Sequence, residues 1–86
     1  MIKKILKDVS DEVDFAESKF PPYNTSHEGY AIIFEELDEL WDEVKNNSSR
    51  EKMRGEAVQV AATAVRFIKD LCDKPERSKD NDRTNL

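Results

Sequence analysis

The chain has 86 residues, 37% hydrophobic and 38% charged, with two glycines, three prolines and a single cysteine. That is one domain near the lower size limit for a self-sufficient core, and Cys72 has no partner inside the chain, which excludes a disulfide scaffold and suits a reducing compartment. Nineteen acidic residues against fourteen basic ones leave a net charge of −5 with no segregated basic face, so nucleic acid is excluded as a partner.

The opening segment has no apolar run of signal-peptide length, and nothing approaches the ~20 apolar residues of a membrane span. A cytoplasmic protein with no membrane partner is the expectation. The few glycines and the charged exterior lean the fold class to all-α.

In the first segment Ile2, Ile5, Leu6, Val9 and Val13 recur at spacings of three and four, which predicts a helix over residues 2–19 with one apolar stripe. FPPYN, residues 20–24, ends it, because Pro21 and Pro22 lack backbone donors and push Phe20 out of the α region. TSHE, residues 25–28, has the capping-box pattern and opens a second helix to about Lys45, its core face read as Ile33, Leu37, Leu40, Trp41 and Val44. NNSS makes a short turn, with Ser48 and Glu51 as a second capping box, and a third helix runs to about Cys72.

That third helix is apolar or small over most of its circumference in VQVAATAV, residues 58–65, and is expected to lie centrally, its alanines allowing close approach. Residues 74–86 have almost nothing to bury and read as a polar, disordered tail beyond a single domain over 1–73. The expected architecture is a compact antiparallel bundle of about three helices, completed by oligomerisation.

FEELDEL, residues 34–40, concentrates four carboxylates beside Leu37 and Leu40. A short turn makes helices two and three antiparallel neighbours. With the turn centred between Asn47 and Ser48, Glu39 falls level with Glu56 and Glu36 level with Gln59. Glu36 and Glu39 are three apart and share a face, as do Glu56 and Gln59. These residues read either as a solvated, salt-bridged surface or as a site for a hard divalent cation. The cation removes the repulsion among three carboxylates with no Lys or Arg between them, and Mg²⁺ takes oxygen ligands while keeping several waters.

HEGYAIIFEELDELWDEVK followed by REKMRGEAVQVAATAVRFIKDL resembles the MazG-like all-α nucleoside triphosphate pyrophosphohydrolases, which carry ExxE on one helix and ExxD on the next. The first motif here is Glu36 to Glu39, preceded by Glu35; the second is Glu56 to Gln59, with Gln59 where the family usually has Asp. An amide oxygen can ligate Mg²⁺ but adds no charge and cannot act as a base. The resemblance implies Mg²⁺-dependent attack of water on a nucleoside or deoxynucleoside triphosphate, releasing a monophosphate and pyrophosphate, with Mn²⁺ as an alternative ion. It implies Glu36, Glu39, Glu56 and Gln59 as metal ligands and Glu35, Glu36, Glu39 and Glu56 as the catalytic set, Glu35 orienting or deprotonating the water. It also implies a homodimer or homotetramer.

Two alternatives stay open: a non-catalytic helical interaction module with a weakened metal site, and a structural divalent-cation site that needs no substrate. Further readings are secondary. Glu43 could pair with Lys52 across the hairpin, and Lys45, Arg54 and Arg66 could meet phosphate as well as serve solubility. Gly55 is read as permitting close packing opposite Leu40 and Cys72 as a small buried hydrophobe. Tyr23 is assigned to loop closure ahead of a nucleoside pocket.

Overall fold

The computed structural model describes residues 1–73; the reading of 74–86 as a tail lies outside them. Three helices in sequence, α1 (Ile2–Lys19), α2 (Ser26–Lys45) and α3 (Arg50–Phe67), are followed by a π-helical turn, Ile68–Cys72, and the described residues contain no strand. The expectation of an all-α, three-helix architecture is met, with α3 central: it packs against both α1 and α2.

Local chemistry sets the boundaries. Phe20 is extended at φ −126° and ψ 148°, and its N–H donates to Ala16 O; the two prolines that follow leave no way to continue α1. Thr25 caps α2 by accepting from Glu28 N at 3.1 Å. Glu28 reaches back one residue further than a standard capping box, its Oε1 accepting from Asn24 N at 2.6 Å.

The turn between α2 and α3 corrects the second capping box. Ser49, not Ser48, caps α3, accepting from Lys52 N at 3.1 Å. Ser48 turns the other way and donates its hydroxyl to Glu43 Oε1. Glu43 is thereby engaged, and it makes no ion pair with Lys52 among the described residues. Asn47 adopts φ 53°, a left-handed conformation that Asn tolerates better than most residues.

The buried hydrophobic cluster is small: Val9 and Val13 of α1 against Ala62 of α3, with Val58 and Ala61 packed beside them. Full burial of a valine is worth about 1.5–3 kcal/mol, so α1 is held largely by two side chains. Two ion pairs supplement them, Arg54 Nη2 to Asp8 Oδ2 at 2.8 Å and Lys69 Nζ to Glu17 Oε2 at 3.0 Å. Lys4, which shares Asp8, and Arg54 hold that carboxyl below its ordinary value.

The proposed core face of α2 is only partly right. Ile33 and Leu40 are half-buried, whereas Leu37, Trp41 and Val44 are exposed. The α2 surface against α3 is instead Gly29, Ile32, Ile33, Glu36 and Leu40, all buried or half-buried.

The close approach is at Gly29 rather than at Gly55. A Cβ on Gly29 would lie 2.7 Å from Phe67 Cδ2, while one on Gly55 would meet nothing within 4 Å. Gly55 is therefore a mid-helix glycine without a packing reason, correcting the close-packing assignment. Gly55→Ala is expected to stabilise the protein by about 0.5–1 kcal/mol; an unchanged or lowered midpoint in urea would contradict this. Cys72 is exposed, not buried.

The loop before α2 is clasped from the far end of α3. Arg66 Nη2 donates to Pro21 O at 3.0 Å, its guanidinium lies 4.6 Å from the centre of the Tyr23 ring, and Asp70 Oδ2 accepts from Tyr23 N at 3.1 Å. Tyr23, Arg66 and Asp70 are all buried. In an α-helix Arg66 and Asp70 would stack one turn apart; the wider π turn, closed by Asp73 N donating to Ile68 O at 2.8 Å, begins between them and turns Asp70 to the loop. Tyr23 thus closes the loop, as its sequence position suggests. Its hydroxyl is buried without a partner among the described residues, and burial holds the phenol above its usual value against the opposing charge of Arg66. Tyr23→Phe removes an unsatisfied donor and is expected to raise stability by about 1 kcal/mol; a fall of similar size in thermal unfolding would show that the hydroxyl has a partner.

Candidate metal centre

The antiparallel register places the two acidic helices side by side. Glu36 and Glu39 stand one turn apart on α2, and Glu56 projects from the matching height of α3. One oxygen of each lies within 4.8 Å of the others. The level pairing of Glu39 with Glu56 is therefore realised in three dimensions.

Each residue meets a different environment. Glu36 and Glu56 are half-buried and Glu39 is exposed. Among the described residues Glu56 Oε1 is buried with no hydrogen-bond donor facing it; Glu39 could satisfy it only by carrying a proton. No ion pair among the described residues involves any of the three. The basic residues named as phosphate partners are engaged elsewhere: Arg54 with Asp8, Lys45 with Asp42, and Arg66 with the Pro21 carbonyl.

The cost of this arrangement falls on protonation. Burial pushes the Glu36 carboxyl above the ordinary glutamate value of 4.5, and the charges of Glu39, Glu56, Glu35 and Glu12 add to the shift. Burial likewise raises Glu56, helped by the charges of Glu39 and Glu43. Glu12 comes from α1 and was not anticipated, since the hairpin argument concerned only two helices. Glu35 is exposed and lies outside the converging set. Gln59 is half-buried, one turn beyond Glu56.

The residues suit a hard divalent cation. Bonds of ~2.1 Å in an octahedral shell set neighbouring oxygens ~3 Å apart and opposite ones ~4.2 Å apart, so modest side-chain rotations bring the three carboxylate oxygens into one shell. All the donors are oxygen, which favours Mg²⁺ or Mn²⁺ over thiophilic ions. Glu56 Oε1, without a partner among the described residues, would gain a cation in the process.

A pH dependence follows. In the folded state Glu36 and Glu56 hold protons more tightly than in the unfolded state, so their contribution to metal-free stability is fully present below about pH 4.5 and is lost as pH rises through their raised values. Asp8 works in the opposite sense, its lowered value adding stability that is lost only below the ordinary aspartate value of 3.8. If the site takes Mg²⁺, millimolar Mg²⁺ should turn the fall above pH 4.5 into a rise, because the ion would bind the deprotonated carboxylates. Melting curves with and without Mg²⁺ from pH 4.5 to 8 check this; superimposable curves would exclude the site.

No protein-family model, curated protein or solved structure matches the chain. The MazG-like likeness rests on the residues quoted above. No helix of the described residues is long and apolar enough to cross a membrane.

Proposed function

We propose that the chain is a Mg²⁺-dependent nucleoside or deoxynucleoside triphosphate pyrophosphohydrolase that releases the monophosphate and pyrophosphate. The observation that carries this reading is the convergence of Glu36, Glu39 and Glu56 from two helices with no basic side chain paired to them among the described residues. The MazG-like pattern of the acidic helices supplies the reaction class.

When bound, Mg²⁺ neutralises triphosphate oxygens and stabilises the charge that develops in transfer. Glu36, Glu39 and Glu56 would hold it, with Gln59 as a neutral oxygen donor. Glu35, exposed one residue before Glu36, is the candidate for orienting or deprotonating the attacking water. The small buried cluster supports completion as a homodimer or homotetramer; a cytoplasmic setting, suggested by the lone cysteine, belongs to the same proposal.

The test is pyrophosphate release from a panel of ribo- and deoxyribonucleoside triphosphates, with and without Mg²⁺, beside Glu39→Gln. Metal-dependent turnover lost in the variant supports the enzyme. Absence of turnover with every nucleotide favours the second reading, a helical interaction module. The exposed apolar residues of α2, among them Leu37 and Trp41, are the observation on its side.

A further inference from the structure

The outer face of α2 carries Tyr30, Phe34, Leu37, Trp41 and Val44, spaced four, three, four and three residues apart, and all are exposed. This is the period of a helix–helix seam. It runs the length of the helix, with Tyr30 and Phe34 stacked at 6.3 Å between ring centres. At its C-terminal half, Leu37, Leu40, Trp41 and Val44 line a shallow apolar cleft with Asp38 at the rim. Asp38 and Asp42 lie beside the seam, and Lys45, the only Lys or Arg among the helix's seven acidic residues, pairs with Asp42 and sits 5.7 Å from the centre of the Trp41 ring.

The chain contains a second exposed apolar face of opposite charge. On the first turns of α1, Ile2 and Leu6 are 64% and 61% exposed and Ile5 is 41% exposed. Among them stand Lys3, Lys4 and Lys7, with no acidic residue in the first turn of the helix. Lysines at the positive end of a helix are unfavourable. Lys4 and Lys7 find Asp8 and Asp11 one turn on, at 3.0 and 2.9 Å; Lys3 makes no ion pair among the described residues.

We infer that the chain forms a two-fold dimer in which the basic, apolar start of α1 in one copy lies on the acidic, apolar outer face of α2 in the other. The inference rests on the homo-oligomeric part of the proposed function and names the surfaces involved. Charge complementarity selects this pairing: α2 against α2 would bring two acidic helices together, whereas α1 against α2 sets lysines opposite carboxylates and relieves the cations at the head of α1. A reciprocal arrangement uses both faces of both copies and closes the assembly, leaving no free seam for further growth.

Sedimentation velocity over a range of concentrations tests it, with two charge-reversed chains, Lys3→Glu with Lys7→Glu and Asp38→Lys with Asp42→Lys. Each should weaken the dimer at least tenfold, and the chain carrying all four substitutions should return to within about threefold of the parent. The parent dimer should weaken as salt rises. Leu6→Glu and Trp41→Glu, both on exposed residues, probe the apolar part independently, and each should yield monomers. An unmodified chain that stays monomeric would sink the oligomeric reading and this inference together. An oligomer that survives all the variants would sink only the inference. A dimer tightened by Asp38→Lys with Asp42→Lys would overturn it in favour of α2 packing on α2.

Discussion

Glu56→Gln should raise the melting temperature of the metal-free protein and, in the same molecule, lower Mg²⁺-dependent turnover by about 100-fold or more. The two effects have one cause. Among the described residues Glu56 Oε1 is buried without a donor, and its carboxylate faces Glu36 and Glu39 with no intervening cation. An amide at this position removes a charge from the cluster and supplies an N–H that the neighbouring carboxylates can accept. The same change deletes an anionic ligand, so Mg²⁺ should no longer raise the melting temperature, whereas it should do so in the parent. Paired melting curves and a pyrophosphate assay measure both arms. A fall in metal-free stability would mean that the Glu56 carboxylate already has a stabilising partner, and the metal reading would lose its main support.

Gly29→Ala is expected to destabilise the fold by about 1–2 kcal/mol, despite the better helix propensity of alanine. The new methyl would sit 2.7 Å from Phe67 Cδ2 and 3.0 Å from Leu71 Cδ1. Overpacking of this kind costs roughly 1–3 kcal/mol, and the propensity gain returns at most ~1 kcal/mol of it. Phe67 is the last residue of α3 before the π turn that carries Asp70 to Tyr23, so the displaced ring presses on the segment that clasps the loop. Thermal unfolding should show a melting temperature lower by roughly 4–8 °C for each kcal/mol lost. Gly29→Val should do more damage, and an Ala variant as stable as the parent would show that α2 and α3 do not approach so closely.

Helix boundaries were legible because their punctuation is chemical and local: the prolines after Phe20, the Thr25 cap, and the polar turn before α3. The acidic cluster was legible for a different reason. A short turn fixes which heights match across an antiparallel pair, so the pairing of Glu39 with Glu56 needed only a turn centre.

What escaped the sequence depends on rotation about a helix axis. α2 carries two apolar stripes, Ile33 and Leu40 inward and Leu37, Trp41 and Val44 outward. Spacing alone does not say which one a neighbour covers. The same ambiguity put the close approach at Gly55 instead of Gly29. Glu12 was missed because nothing in the hairpin says where α1 lies. The π turn has no compositional mark, and its effect is visible only in the contact from Asp70 to Tyr23 N. Ser48 and Ser49 are both chemically able to cap, and the left-handed Asn47 decides the path that selects Ser49.

The hold of Arg66 and Asp70 on residues 21–23 also governs how α2 and α3 can move. Two helices joined only by a turn can slide past one another, each residue of slip shifting the heights by ~1.5 Å. Here the pair is tied by the turn over residues 46–49 at one end and by the loop contacts at the other. Sliding would have to stretch one tie or the other, so the motion left to the pair is bowing about its middle. Glu36, Glu39 and Glu56 lie in that middle stretch, where bowing would change the gap between the helices while the register that brings the three oxygens together stays fixed.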